Sequence, residues 1–338
     1  MFILVFKQLT IMLIIGVCGF AFGKIFKCGE TEQKFLSKLL LYFINPCMVF
    51  NTFNRDFDSE KLLHFLFVLG IAFVIHFVMI FVAFFCSKSR DAGQKDYNEI
   101  DRIAMVFTNC GFVGIPLING VFGDEGVFYL MGYLVVFNVL LWTYGYYQIG
   151  GKVKIVKIIT NPNIIAVVLG ILIFCLPFKL PQFIQKPLSM IAETNTAMAM
   201  ILIGLLFSSF KLPEKDEAKD SDSIQPAGKT LTDTAAARKK IFIRRVIREV
   251  LVRLVLLSVI NLGIVFAVYK IFPNMPDIRL IVFVVYICSM CPTATSVPSL
   301  ACVFDKDASY ASLLVPLTSL GCIVTIPAFV ALAELVIK

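Results

Sequence analysis

Two stretches set polar side chains beside helix-breaking residues inside otherwise apolar runs: NCGFVGIPL (Asn109–Leu117) and CPTATSVPSL (Cys291–Leu300). Proline lacks a backbone donor and clashes with the preceding turn, and glycine adds backbone freedom, so each stretch predicts two half-helices separated by a break. The start of a half-helix presents unpaired N–H groups and partial positive charge, worth roughly 0.3–2 kcal/mol to an anion. Proline suits the first helical position, which places the second half-helices near Pro116 and Pro298, with Ser296 as the expected cap. Neither break holds Lys, Arg, Asp or Glu. Binding would therefore fall to backbone dipoles and neutral donors, an arrangement suited to a carboxylate. The candidate binding residues are Asn109, Gly111, Gly114, Pro116, Thr293, Thr295, Ser296 and Pro298, joined by Asn138 and by Asn45 beside Pro46.

Ionisable groups inside apolar runs are candidates for proton or ion coupling, which singles out Glu193 in ETNT and His76. His64 and His76 read more simply as hydrogen-bonded packing residues, and Arg253 and Glu334, near the ends of apolar runs, as snorkelling side chains. Cys288 and Cys291 form a lone CxxC without a second ligand pair, so neither a metal nor any other cofactor is expected. No paired carboxylate, HExxH or GxSxG supports an enzyme.

The elements that must position these residues are membrane spans. Hydrophobic residues make up 59% of the 338 and charged residues 16%. Runs of about 20 apolar residues, enough to cross a bilayer as helices, occur over residues 5–24, 35–53, 62–86, 103–121, 126–148, 162–180, 187–210, 251–270, 278–303 and 309–336. The chain thus reads as an all-α polytopic membrane protein of ten spans. If loops alternate sides, 23 of the 31 Lys and Arg fall on one side, and the positive-inside rule makes that side cytoplasmic, with both termini extracellular. This topology accounts for the net charge of +8 without a nucleic-acid partner. Trp142, Tyr144, Tyr146 and Tyr147 precede Lys152, Lys154 and Lys157, as an interfacial aromatic belt would. Residues 211–240 are polar and poor in aromatics, a composition that predicts a flexible cytoplasmic linker. The basic segment Arg238–Val250 that follows is expected to lie along the inner leaflet.

Internal similarity suggests how the spans are arranged. IPLINGVFGDEG (Ile115–Gly126) aligns without gaps on VPSLACVFDKDA (Val297–Ala308) at an offset of 182, and FLSKLL (Phe35–Leu40) aligns on FIQKPL (Phe183–Leu188) at 148. The difference, 34, is close to the length of the linker, so both matches describe one duplication of five spans. An odd number of spans inverts the second copy, and inverted repeats with interrupted helices in matching positions point to a secondary transporter. The breaks fall in spans four and nine, which are mates.

NCGFVGIPL followed by VFGDEG, together with NVLLWTYG (Asn138–Gly145), NPNIIAVVLGIL (Asn161–Leu172), AMAMILIGLL (Ala197–Leu206) and the Pro298 segment ending in FDKDAS, resembles the auxin efflux carrier family, which includes the plant PIN-FORMED carriers and bacterial malate permease-like proteins. The resemblance covers nearly the whole chain. It implies a bile acid symporter-like fold, a 5+5 inverted repeat in which spans four and nine cross at their prolines. Its scaffold, residues 1–60 and 151–210, would dimerise, and its transport domain, residues 61–150 and 241–338, would move. It also implies that Asn109, Pro116, Asn138 and Pro298 fall on the family's site positions. Span three carries only His64 and His76 where the plant carriers have an acidic and a basic residue, so coupling details do not carry over. The expected function is an elevator-type carrier of small organic anions, carboxylates resembling malate or auxin, in the cytoplasmic membrane. A sodium- or proton-coupled bile-acid-type symporter and a membrane receptor without transport are the alternatives.

Overall fold

The computed structural model describes residues 1–54, 56–88, 95–150, 156, 159–176, 180–209 and 231–337. Residues 211–230 of the expected linker and the lysines 152, 154 and 157 lie outside them. Among the described residues the secondary structure is helical and no sheet forms. The helices are α1 Phe2–Ile25, α2 Glu30–Leu39, α3 Asn45–Phe53, α4 Ser59–Cys86, α5 Lys95–Val106, α6 Ile115–Leu140, α7 Tyr146–Gln148, α8 Pro162–Cys175, α9 Gln182–Glu193, α10 Asn195–Ser209, α11 Leu231–Leu251, α12 Leu257–Ile271, α13 Ile278–Met290, α14 Ser296–Val303 and α15 Ala308–Val336. Single π-helical turns, Leu40–Ile44, Leu141–Gly145 and Val252–Leu256, join α2 to α3, α6 to α7 and α11 to α12.

Six helical runs among the described residues are long and apolar enough to cross a bilayer: Phe2–Ile25, Ser59–Cys86, Cys110–Gln148, Gln182–Ser208, Ile241–Ile271 and Ala308–Val336. Pro162–Cys175 and Ile278–Met290 are apolar but shorter. The expected stretch 35–53 runs without a gap through α2, a π turn and α3, whereas two others are interrupted. Apolar residues 103–121 are divided between α5 and the start of the next run, and 278–303 between α13 and α14. Gly123, at φ +63° and ψ −159°, lies within α6 in a region that essentially only glycine adopts, so the chain changes direction there.

Close helix packing rests on small residues. Helix α1 lies along α10, and a Cβ added at Gly19 would sit 2.6 Å from the Ile201 carbonyl oxygen, one at Gly204 2.1 Å from that of Gly16. Such backbone approach is how apolar helices associate where no hydrophobic effect drives them together. Around the breaks the core is formed by α4, α6 and α13, which pack on one another. In α13 every residue from Ile281 to Met290 is buried.

Two composition-based expectations change. Residues 231–240, assigned to the linker, are helical, and Arg238–Val250 is no separate surface helix but part of α11, continuous through a π turn with α12. Its Arg245 is buried and pairs with Asp101 of α5 at 2.9 Å, so the basic face is partly turned into the protein. The polar composition misled because the acidic partner lies some 140 residues away in sequence.

Candidate functional site

Helix α5 ends at Val106 and α13 at Met290, and the extended segments that follow run against each other. Thr108 and Thr293 form an isolated antiparallel bridge. The Asn109 N–H donates to the Pro292 carbonyl at 2.7 Å, and the Ala294 N–H to the Phe107 carbonyl at 2.9 Å. Each segment thereby satisfies backbone groups that its helix has abandoned, as buried backbone must. Thr293 adds two ties: its N–H donates to Thr318 Oγ1 of α15 at 3.1 Å and its hydroxyl to the Ala104 carbonyl at 3.3 Å.

Beyond the bridge both chains become helical again. Asn109 caps the π turn Cys110–Gly114, its Oδ1 accepting from the Phe112 N–H at 3.3 Å while its carbonyl accepts from Val113 and Gly114. Asparagine does this well because its short side chain substitutes for the missing carbonyl of the previous turn. The other end of the amide is free: Asn109 is buried, 4% exposed, and Nδ2 has no partner. Gly111 faces open space, with nothing within 4 Å of an added Cβ, whereas one at Gly114 would meet Cys110 Cβ at 3.2 Å and Cys291 Sγ at 3.4 Å. Gly114 lets the two interrupted segments approach each other. Pro116 follows the π turn as the second residue of α6.

On the other chain the helix begins at Ser296, and Thr295, not Ser296, is the capping residue, although its side chain makes no cap hydrogen bond. The expected Ser296 cap is thereby corrected: its amide already lies inside the first turn, and its buried Oγ has no partner. Pro298 is the third residue of α14, where its missing N–H leaves no intrahelical bond unmade.

The ends of the preceding helices are closed by a residue that the sequence reading placed at a membrane surface. Arg253 is fully buried. Its guanidinium donates to the Met105 carbonyl at 3.4 Å, the Ser289 carbonyl at 2.9 Å and the Cys291 carbonyl. These are the last carbonyls of α5 and α13, where helices carry partial negative charge. Arg253 does not snorkel because it has these three acceptors within reach. One turn earlier on the same face, Glu249 is also fully buried, with neither carboxylate oxygen partnered. Gln8 of α1, another residue missed, donates to the Pro116 carbonyl at 3.2 Å. A lone arginine or glutamine amid apolar residues was the available signal for both.

The remaining candidates lie elsewhere. Asn138 Nδ2 donates to the Leu134 carbonyl at 2.8 Å and its Oδ1 accepts from Asn161, the cap of α8, at 3.2 Å. Asn45 is buried with Oδ1 unpartnered, and the adjacent Ile44 lines an open apolar groove shared with Leu39, Met190 and Met198. Glu193 is exposed at the end of α9 and accepts from Ser189 at 3.1 Å. His76 donates through Nδ1 to the Ala72 carbonyl at 2.8 Å and lies against the Tyr133 ring, 4.8 Å between centroids. Among the described hydrogen bonds none ties Asn45, Asn138, Glu193 or His76 to either break.

A buried bridge between two interrupted helices, surrounded by apolar helices, fits carriage of a solute across a membrane better than chemistry upon one. Comparison with known proteins agrees. The chain is 29% identical over 209 residues to an uncharacterized transporter of Methanocaldococcus jannaschii, which covers 59% of this chain and 67% of that one. The family described as "Membrane transport protein" matches residues 4–330. The chain belongs to this membrane transport family, the auxin efflux carrier family.

Proposed function

We propose that the protein carries small organic anions, carboxylates in particular, and binds them where the starts of the Cys110 and Ser296 helical segments meet. The observation that carries this reading is the Asn109 amide, which caps one segment through its oxygen and leaves a buried Nδ2 without a partner. Ser296 Oγ supplies a second unpartnered donor at the start of the other segment. A buried donor without an acceptor costs roughly 1–3 kcal/mol, which a carboxylate would recover.

The sign of the ligand follows from Arg253. Two helix ends and two helix starts converge on the breaks, and their partial charges would largely cancel. With the ends neutralised by a guanidinium, the positive starts remain, which favours an anion and disfavours sodium. Thr293, Thr295, Gly114, Pro116 and Pro298 shape the breaks. Asn45 follows Ile44, which lines the open apolar groove, and that groove suits the organic part of the substrate.

The reading extends to ten membrane crossings in a 5+5 inverted repeat, with an elevator-like displacement of residues 61–150 and 241–338 against a dimeric scaffold. In support, the two positive-φ turns after the breaks, Gly123 at +63° and Asp305 at +52°, occupy equivalent positions of the repeat. The Phe2 N–H donates to Glu334 at 3.0 Å. Displacement would break this bond between scaffold and transport domain together with the Gln8–Pro116 and Asn138–Asn161 hydrogen bonds. Uptake of labelled dicarboxylates, monocarboxylates and indole acids into proteoliposomes tests the substrate class. Transport of cations or neutral solutes, with none of these acids, would overturn it.

A further inference from the structure

Glu249 stands apart from the site just described. It is 0% exposed, and neither oxygen has a hydrogen-bond partner. Its basic neighbours bond other groups, and none of their hydrogen bonds reaches Glu249, although the Arg248 and Arg253 Nε atoms have no partner. On its own helical run, Arg248 pairs with Asp101 at 2.8 Å, and Arg245 with Asp101 at 2.9 Å and with Asn98. From α15, the Tyr310 hydroxyl donates to Asp101 at 2.5 Å. Arg253, four residues on and so on the same helix face, binds the three carbonyls at the breaks. Asp101 of α5, also 0% exposed, is the other carboxylate in the cluster. An ionised Glu249 would be a second buried carboxylate next to it, with no donor of its own. A buried charge without hydrogen bonds is too costly to persist, and the group takes up a proton instead.

We propose that Glu249 is a proton-binding site that couples proton and anion movement through Arg253. With Glu249 protonated, Arg253 offsets the negative helix ends and the positive helix starts draw an anion. When Glu249 releases its proton, the carboxylate formed one turn away is the natural partner of the Arg253 guanidinium. It cancels the guanidinium charge and competes with the Met105, Ser289 and Cys291 carbonyls for the guanidinium donors. Proton and anion therefore favour each other's binding, and by linkage the effect is reciprocal. Both would travel in the same direction. This coupling rests on the anion site proposed above, whereas the proton site itself does not.

Two measurements separate these claims. Infrared spectra of the purified protein between pH 5 and 9 report the C=O stretch of a protonated carboxyl. A pH-dependent band is expected in the wild type and in Asp101→Asn, and should vanish in Glu249→Gln, an isosteric change that keeps a neutral side chain. Identical titrations in wild type and Glu249→Gln would overturn the proton site. In proteoliposomes offered labelled malate, acetate and indole-3-acetate, an inward proton gradient should drive accumulation by the wild type. Anion affinity should rise as the pH falls, by at most about tenfold per pH unit, the limit for one linked proton. Glu249→Gln should still equilibrate the anion but lose the response to the gradient, and accumulation equal to wild type would overturn the coupling. If none of the acids moves in either protein, the anion reading fails and the infrared result alone decides the proton site. Should Glu249→Gln not fold, wild-type affinity that stays flat between pH 5 and 9 refutes the coupling.

Discussion

Asn109 has two jobs on two ends of one amide, and substitutions can separate them. Its oxygen caps the turn that starts at Cys110, with Phe112 N at 3.3 Å, and its nitrogen is the free donor. Serine caps helices about as well as asparagine, but it cannot place a second donor where Nδ2 lies. Asn109→Ser should therefore change stability by less than about 0.5 kcal/mol while removing a hydrogen bond to a charged ligand, worth about 1.5–3 kcal/mol, which weakens binding by roughly 10- to 150-fold. Asn109→Ala should show the same loss of affinity and in addition lose the cap, about 0.5–2 kcal/mol of stability. The assay is substrate affinity by scintillation proximity alongside thermal unfolding in detergent, with Cys175→Ala, a change on an exposed residue of α8, as control. Wild-type affinity in Asn109→Ser would refute the reasoning outright. A parallel loss of stability and affinity in Asn109→Ser would show that the residue acts only through the cap.

Arg253→Met keeps a long apolar stem but leaves three buried carbonyls without a donor, at about 1–3 kcal/mol each; a drop of at least about 3 kcal/mol and loss of uptake are expected, read by thermal unfolding and proteoliposome transport. Gly204→Ala would press a methyl group to 2.1 Å from the Gly16 carbonyl oxygen, so overpacking of about 1–3 kcal/mol should appear as a lower melting temperature without a specific change in substrate affinity. Deleting Glu214–Lys229, which stops short of α11, should leave transport intact, since that composition builds no core; loss of transport in a normally inserted variant would count against it. A tag after Lys338 should be reached from outside intact cells, because the basic loops belong in the cytoplasm.

The sequence marked where to look: non-helical residues 107–109 and 291–295 fall in or beside NCGFVGIPL and CPTATSVPSL, where proline and glycine act locally through a missing donor and a freed φ. Long apolar runs likewise announce helices able to cross a membrane, six of them among the described residues. The start expected near Pro116 lies earlier: the chain is helical again from Cys110, before Gly111, Gly114 and Pro116, because the Asn109 side chain caps the turn there, whereas α14 starts at Ser296, two residues before Pro298. What Arg253 and Glu249 do could not be read, because charge in an apolar run has two physical solutions, escape to water or a buried partner, and sequence position does not choose between them. The choice required α5 and α13 to end together at the head of Arg253, bringing Met105, Ser289 and Cys291, widely separated along the chain, around one guanidinium. Likewise Asn138 looked like a free polar group in an apolar run until the fold set it against the α8 cap Asn161. Local covalent geometry wrote the interruptions into the sequence; only packing decided which charges and donors the interruptions would face.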